Sequence, residues 1–243
     1  MYKRILLKLS GEQLSGKHES GFDTDSAVWL AKEIKNATNA GTEVIIMVGG
    51  GNYVRGAQIA GHGIKRVTAD QVGMLGTMMN ALTLTDVFED QGVKTRCLTT
   101  IFANQVAEPF VHRLAEKHLE KGRVVIVGGG SGRPYVTTDT AAVILGLELN
   151  CEVIIKTTKY DGVYDKDPAK HSDAKKFESL EFQQAVEDQN IMVMDKAAMG
   201  LAMEQTMPIS PRTTATASVI FWWDPFSSGI PSWEPKGLCS CIA

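Results

Sequence analysis

Residues 44–51 read VIIMVGGG, a wholly apolar run that ends in three consecutive glycines. Residues 124–130 repeat the pattern as VVIVGGG. Apolar runs of this length without polar alternation are typical of strands buried on both faces of a parallel sheet. Glycine after such a strand lets the backbone approach a ligand and turn its N–H groups toward an anion, most often a phosphate. Two such turns predict two phosphate-bearing ligands, or one long one.

Around these runs, strand-like and helix-like segments alternate from the start of the chain to about residue 209. We predict strands at residues 4–9, 43–48, 93–98, 123–127 and 152–156, and helices at residues 26–40, 68–90, 108–121 and 138–149. Strands separated by helices imply right-handed crossovers, and hence an α/β fold with a mostly parallel sheet between helical layers. We expect a single domain over residues 1–209, with ligands at the carboxyl ends of its strands.

The composition of the 243-residue chain is that of an ordinary soluble globule, with 44% hydrophobic and 22% charged residues. A net charge of −3 argues against a dedicated nucleic-acid-binding protein. No apolar stretch approaches the roughly 20 residues of a membrane-spanning helix, and the start does not resemble a signal peptide. We therefore expect a cytoplasmic protein with no nucleic-acid or membrane partner.

The pattern changes after residue 209. Residues 210–243 contain four of the eight prolines and three of the four tryptophans, with almost no charge. Such a segment does not fit another strand–helix unit, and we expect it to be irregular. We interpret it as an atypical tail, consistent with a shifted reading frame or a misjoined end.

Two basic residues accompany the first glycine run. Lys8 lies in an otherwise apolar strand, where an ammonium is costly to bury unless it meets an anion, so it indicates a ligand unless the strand is at a solvent edge. Arg55 follows the triplet and could hold phosphate oxygens bidentately, or simply be a surface arginine after a tight turn. Residues 11–18, GEQLSGKH, have P-loop spacing, but His18 stands where a Ser or Thr should bind Mg²⁺, and we reject a P-loop.

The second run continues as SGRPYVTTD at residues 131–139. Thr137 or Thr138 is a natural N-cap, so a helix N-terminus should face the glycine turn. Asp139 would place a carboxylate at an anion site, which is unfavourable unless a metal ion or lysines offset it, or unless it serves only the helix dipole. Asp70, at the start of the long helix, either serves only that helix's N-terminal dipole or contacts a ligand. The histidines show no metal or triad spacing.

Together these segments resemble the bacterial uridylate (UMP) kinases of the amino-acid-kinase superfamily. The matching motifs lie at residues 2–12, 49–52, 55–56, 70, 73–75, 79–80, 137–142, 156–164, 167–168 and 193–195. The resemblance covers residues 1–209 and implies the three-layer αβα, carbamate-kinase-like fold. It also implies transfer of the ATP γ-phosphoryl group to UMP with Mg²⁺, giving UDP, by a homohexamer.

The resemblance also assigns roles by position. It assigns ATP contacts to Lys8, Leu9, Ser10, Gly11, Gly51, Arg55, Thr158, Tyr164 and Asp167. It assigns UMP contacts to Gly50, Asp70, Ser131, Gly132, Arg133, Pro134, Tyr135, Val136, Thr137 and Thr138. Because phosphoryl transfer needs positioning and neutralisation of charge, we expect Lys8 and Arg55 to act catalytically, with Asp139, and less directly Asp195, organising Mg²⁺ and the lysines.

Two departures from the family leave questions open. The family chain continues beyond residue 209 with further regular elements that residues 210–243 do not resemble. The family often responds to GTP or UTP as effectors, but Thr85 and Glu89 replace basic residues, whereas Arg96 and Arg123 remain. The alternatives are a sister kinase acting on a small acid or carbamate, and a non-catalytic nucleotide-binding regulator. Asp70 and residues 131–138 suit a nucleotide better than a dicarboxylate.

Overall fold

The computed structural model describes residues 2–54, 59, 63–158, 160, 162–188, 191, 193–213 and 240–242. Its strands are β1 (Arg4–Leu9), β2 (Glu43–Val48), β3 (Thr95–Thr99), β4 (Glu108–Pro109), β5 (Val124–Gly128), β6 (Val153–Thr158), β7 (Ser179–Glu181), β8 (Ile209–Thr213) and β9 (Ser240–Ile242). Its helices are α1 (Gly11–Leu14), α2 (Thr24–Asn39), α3 (Arg66–Asp90), α4 (His112–Glu120), α5 (Thr138–Glu148), α6 (Phe182–Glu187) and α7 (Lys196–Glu204).

Seven of the strands form one parallel sheet, in the order β4-β3-β5-β2-β1-β6-β8. Successive residues of the central strands contribute to two separate apolar clusters. Ile46 packs with α2 and α3 on one face, and Met47 packs with α4, α5 and α7 on the other. The predicted α/β sandwich is therefore confirmed, and the apolar runs are continuous because both faces of the sheet are covered.

The predicted helix at residues 108–121 was wrong at its start. Glu108–Pro109 forms a short parallel strand beside β3, and the helix begins only at His112. Proline disfavours helical geometry in the residue before it, so the helix follows Pro109. The structure also contains the four-residue helix α1 after the first strand, which was not predicted. A turn follows α1, consistent with rejecting a P-loop at residues 11–18.

The expectation of an irregular tail was wrong at residues 210–213. Ile209–Thr213 pairs in parallel with β6 and extends the sheet past the predicted boundary. Pro211 lies in this strand, which is at the edge of the sheet among the described strands, and an edge position tolerates a residue that lacks an N–H donor. Residues 240–242 pair with β7 in a separate antiparallel ribbon. The remaining tail residues lie outside the described part of the chain.

Among the described residues, no helix combines the length and the apolar character required to cross a bilayer.

Candidate active site

The carboxyl ends of β1, β2, β5 and β6 meet at one edge of the sheet, because these neighbouring strands are all parallel. The turns that follow them hold Ser10-Gly11, the first glycine triplet and the second glycine triplet. The structure thus brings both triplets and the first turn together at the edge where ligands of such sheets bind.

A buried ion-pair cluster lies at this edge. Lys8 and Lys156 occupy directly paired positions on β1 and β6, and both face Asp139 in the first turn of α5. The Lys8 ammonium lies 2.7 Å from Asp139 Oδ1, and the Lys156 ammonium lies 2.6 Å from Oδ2. Of the two open interpretations of Asp139, the structure supports the one in which lysines offset its charge. Lys8 is buried at 6% exposure and is not a solvent-edge residue.

The cluster shifts the pKa values of its members. Burial acts to raise the pKa of the Asp139 carboxyl, but attraction to Lys8 and Lys156 outweighs it and the pKa lies below its ordinary value. Burial lowers the pKa of the Lys156 ammonium; Asp139 opposes this effect and Lys8 adds to it. Two ammonium groups share one carboxylate, so a second anion at this point would be strongly attracted.

Asp195 joins two helix N-termini beside this cluster. It caps α7 by accepting hydrogen bonds from the backbone N–H groups of Ala197 and Ala198, at 3.0 and 3.1 Å. It also accepts hydrogen bonds from the hydroxyls of Thr137 and Thr140, which belong to the start of α5. Its carboxylate therefore orients the helix that carries Asp139 and contributes attraction to Lys156 from a distance.

The first glycine triplet lies directly against the long helix α3. A Cβ on Gly50 would lie 2.8 Å from both Gly73 O and Thr77 N, closer than real Cβ atoms approach backbone. A Cβ on Gly11 would likewise lie 2.6 Å from Gly51 N. Glycine is therefore required at residues 11 and 50 by close packing of three backbone segments, whether or not a ligand is present.

A buried amide pair holds this loop in place. The side chains of Asn52 and Asn80 exchange two hydrogen bonds, at 2.9 and 2.7 Å. Asn80 also donates to Gly49 O at 2.7 Å, and Asn52 donates to Gly21 O at 2.7 Å. Both residues belong to motifs matched by resemblance, but their mutual contact was not predicted. The available signal was Asn80, an amide on the mainly apolar inner face of a helix.

Thr77 connects the two triplets through α3. Its hydroxyl accepts a hydrogen bond from Gly129 N at 2.7 Å and donates to Met74 O at 2.6 Å. Its backbone N is also one of the atoms that an added Cβ on Gly50 would meet, at 2.8 Å. One turn of helix thus contacts both glycine loops, a role for Thr77 that the sequence did not suggest.

The second loop closes onto Asp70. The Tyr135 N–H donates to Asp70 Oδ2 at 2.8 Å, and Arg66 Nε donates to Oδ1 at 2.8 Å. The Arg66 guanidinium also lies over the Tyr135 ring, 5.4 Å from its centre. Asp70 and residues 131–138, predicted to share one ligand, are therefore adjacent. Of the two predicted N-cap candidates, Thr137 is the N-cap of α5, and its side chain accepts hydrogen bonds from Asp139 N and Thr140 N.

A cavity of about 270 Å³ lies at the end of β6. Thr158, Tyr164 and Asp167, three of the residues that the resemblance assigns to ATP, all contribute to its wall. Tyr160 also lines it and contacts Tyr164 edge to face, with ring centres 6.1 Å apart. A larger cavity of about 650 Å³ lies between α1 and α2 and is lined by none of the predicted site residues except Leu9.

Arg55 lies outside the described residues, so its predicted place at the first triplet is not described. Leu9, Ser10, Gly11 and Gly51 lie together where β1 and β2 end. In the second loop, Ser131 bonds to Arg133 and Gly132 lies against Thr100 O. Most of the predicted residues thus fall on one edge of the sheet.

The described residues contain no group of three or more His, Cys, Asp or Glu side chains able to enclose a metal ion. Asp139 offers a single carboxylate that already faces two lysines. This arrangement fits a magnesium ion held mainly by the phosphates of a bound nucleotide, and not an all-protein cage.

Comparison with known proteins agrees with this geometry. Residues 3–210 match the model of the amino acid kinase family, and the chain belongs to that family. It is 47% identical over 208 residues to a uridylate kinase of Rickettsia bellii, a match that covers 86% of this chain and 87% of the relative. It is 48% identical over 211 residues to a uridylate kinase of Aliarcobacter butzleri, covering 86% and 89% of the two chains. The crystal structure of a UMP kinase from Bacillus anthracis superimposes with a TM-score of 0.83 at 39% identity, covering 87% of each chain.

Proposed function

We propose that the protein transfers the γ-phosphoryl group of ATP to UMP, giving ADP and UDP. The observation that carries the proposal is the buried Lys8–Asp139–Lys156 cluster between two glycine turns at the carboxyl edge of a parallel sheet. The uridylate kinases to which the chain is similar perform this class of reaction by name, and their similarity spans most of both chains.

The cluster suits an in-line phosphoryl transfer. Such a reaction offers little covalent chemistry to catalyse and depends on alignment and on neutralising the charge of the moving group. Lys8 and Lys156 bring two ammonium groups to one point, and Asp139 offsets their mutual repulsion and orients each of them through an ion pair. Phosphate oxygens would then share the ammonium protons with Asp139. Held in a buried setting, these charges act more strongly than they would in water.

The two substrates would lie on opposite sides of the cluster. ATP would place its phosphates at Ser10, Gly11 and Gly51, and its nucleoside in the 270 Å³ cavity at Thr158. UMP would lie between Gly50, Asp70 and the loop at residues 131–138. The carboxylate of Asp70 suits a ribose hydroxyl and would repel a dicarboxylate, which favours UMP over the small acids used by sister kinases.

Magnesium would enter with ATP, held chiefly by its phosphates, and would supply further positive charge to the transferred group. Asp139 and, through Thr137 and Thr140, Asp195 are the carboxylates near enough to influence its placement. The residues that contact the reacting groups in this proposal are Lys8, Lys156, Asp139 and, from the sequence, Arg55.

Self-association as a homohexamer belongs to the same proposal. Exposed apolar side chains lie on α3, at Leu75 and Met79, and near β4, at Phe102 and Val106. Such groups are typical of surfaces that are covered by another copy. A cytoplasmic location is likewise proposed, as for the enzyme class.

GTP and UTP are candidate effectors, and the same turnover assays can test both. The two retained arginines are already engaged: Arg96 pairs with Glu89 at 2.9 Å, and Arg123 contacts His118 at 3.0 Å. An effector phosphate would have to compete with Glu89, so we expect GTP to activate weakly.

A coupled assay of ADP release tests the proposal, with UMP, CMP, dUMP and acetylglutamate as acceptors. UMP-dependent turnover supports it, acetylglutamate-dependent turnover would assign a sister kinase, and nucleotide binding without turnover would assign a regulator. Lys8→Ala should lower kcat by at least about 100-fold because a charge aimed at the transferred group is lost. Lys117→Ala, which removes an exposed lysine of α4, is the matched control and should leave turnover unchanged.

A further inference from the structure

We propose that Gln13 is a positioning residue for the phosphate donor. Its side-chain amide ties the Ser10-Gly11 turn to the end of β6, and so sets the distance between the turn that meets the donor phosphates and the cavity wall at Thr158. The inference rests on the proposed function only for the identity of the donor as ATP. Gln13 was not among the residues assigned by resemblance.

The contacts of Gln13 join two neighbouring strands. Gln13 lies in α1, half-buried, and its Oε1 accepts a hydrogen bond from Ser10 N at 3.2 Å. Its Nε2 donates to Thr158 O at 3.3 Å. The buried hydroxyl of Thr157 contacts the same Oε1 and lies 3.1 Å from Lys8 O. One amide therefore connects the turn after β1 with the last two residues of β6.

The surrounding backbone dictates which way the amide points. The Ser10 N–H needs an acceptor, and the Thr158 carbonyl needs a donor. Turning the amide over would set its NH₂ group against the Ser10 N–H and its oxygen against the Thr158 carbonyl, which are two repulsive contacts. A glutamate at residue 13 would supply only acceptors, and a methionine would supply neither group. The position therefore uses both ends of a glutamine.

The link that Gln13 makes between β1 and β6 matters more for the phosphate donor, ATP, than for the phosphate acceptor, UMP. Thr158 lines the 270 Å³ cavity proposed for the nucleoside, while Ser10 and Gly11 form the turn proposed for the phosphates. A nucleoside triphosphate spans both places, so its binding depends on their separation. Among the described residues, Gln13 makes its side-chain hydrogen bonds with Ser10, Thr157 and Thr158, and none with the UMP side at Asp70 and residues 131–138. A positioning role therefore predicts a defect confined to ATP, whereas a general loss of folding would affect both substrates.

Gln13→Met tests the proposal, because methionine keeps the length of the side chain and removes both hydrogen bonds. We expect the KM and the Kd of ATP to rise about 10-fold, equivalent to about 1.4 kcal/mol. The KM of UMP should stay within about twofold and kcat within about threefold of the wild type, as for a loss of donor binding alone. Gln183→Met is the matched control: the side chain of this exposed glutamine of α6 donates a hydrogen bond to Glu187 of the same helix, and its replacement should change neither KM.

Thr157→Val is a second test of the role of Gln13, and it does not depend on whether Gln13→Met folds. It removes the hydroxyl that contacts Gln13 Oε1, and it should raise the KM of ATP in the same direction by a smaller factor. Combined with Gln13→Met it should add less than its separate effect, because the two side chains act through one contact.

The outcomes are distinguishable from a failure of the proposed function. If Gln13→Met leaves the KM values of ATP and UMP unchanged, or raises both equally, Gln13 is merely structural and the inference is overturned. If Gln13→Met does not fold, Thr157→Val is judged by the same criterion. A wild type that binds ATP in calorimetry without phosphorylating UMP overturns the proposed function, while the ratio of ATP Kd values still decides the role of Gln13.

Discussion

Replacing Asp139 with asparagine tests the central electrostatic feature of the site. The change keeps the size of the side chain but removes the one negative charge that Lys8 and Lys156 share at 2.7 and 2.6 Å. Both ammonium groups are then left buried without this carboxylate. Removing one partner of a buried ion pair typically costs about 3–5 kcal/mol, because the remaining charge is neither solvated nor paired.

The expected loss can be read as a shift of the melting temperature. For a chain of this size, each kcal/mol corresponds to roughly 2–4 °C, so a loss of 3 kcal/mol predicts a decrease of about 6–12 °C. The measurement is thermal unfolding of both forms without nucleotide and again with ATP. ATP phosphates should compensate the two lysines, so ATP should stabilise Asp139→Asn more than it stabilises the wild type.

Asp173→Asn provides the control for this experiment. Asp173 also forms an Asp–Lys pair, 2.7 Å from Lys166, but its side chain is 77% exposed. An exposed pair contributes little because water and salt screen it, so this variant should melt with the wild type. If Asp139→Asn also melts within about 1 °C of the wild type, the cluster does not carry the buried charge described above, and the reasoning from it to phosphate attraction fails.

Three further predictions concern the loops and the pH dependence. Gly50→Ala should abolish most activity and lower the melting temperature, because its Cβ would lie 2.8 Å from the α3 backbone. Gly63→Ala is the comparison, since a Cβ there would meet no atom of the described residues beyond its chain neighbours within 4 Å, although its φ of +81° will add some strain. Asn80→Leu should destabilise the protein by about 1–3 kcal/mol in urea unfolding, since Asn52 and Gly49 O lose their buried partner; an unchanged midpoint would show that the amide pair contributes nothing. Folding lowers the pKa of Asp139, so this carboxylate should stabilise the fold at pH values above its ordinary pKa of 3.8. The stabilisation should be lost as the pH falls below 3.8 toward the lowered pKa of the folded state. In Asp139→Asn, the decrease of the melting temperature at acid pH should therefore be smaller than in the wild type.

The sequence was sufficient for those parts of the fold that depend on local pattern. The runs at residues 44–48 and 124–127 are apolar throughout because their strands are covered on both faces, and they were identified correctly on that basis. The edge elements were harder to predict. Glu108–Pro109 is too short to show a strand pattern, and Pro211 suggested an irregular tail because an edge position cannot be recognised without the strand order.

The same division applies to the site. Lys8 could be identified because it is a charged residue in an otherwise apolar strand. The carboxylate of Asp139, unfavourable at an anion site, implied a compensating cation. Which cation compensates it depends on the pairing of β1 with β6, which sets Lys8 beside Lys156 and cannot be read from either segment alone. The contacts of Asn52 with Asn80 and of Gln13 with Thr158 likewise join residues that are far apart in sequence, and no local motif predicts them.

Helix α3 sets the spacing of the two glycine loops, because Gly129 bonds to Thr77 and Gly50 packs against Gly73 and Thr77 of the same helix. Removal of one residue within the helix would rotate the following turn by about 100° and shift it by about 1.5 Å. Gly73 and Thr77 would then no longer face their loops together. Substitutions within either loop change one loop, but a change in the length of α3 between residues 73 and 77 would misalign both at once. We therefore expect the site to tolerate variation at loop positions other than the closely packed glycines far better than any insertion or deletion in this turn of helix.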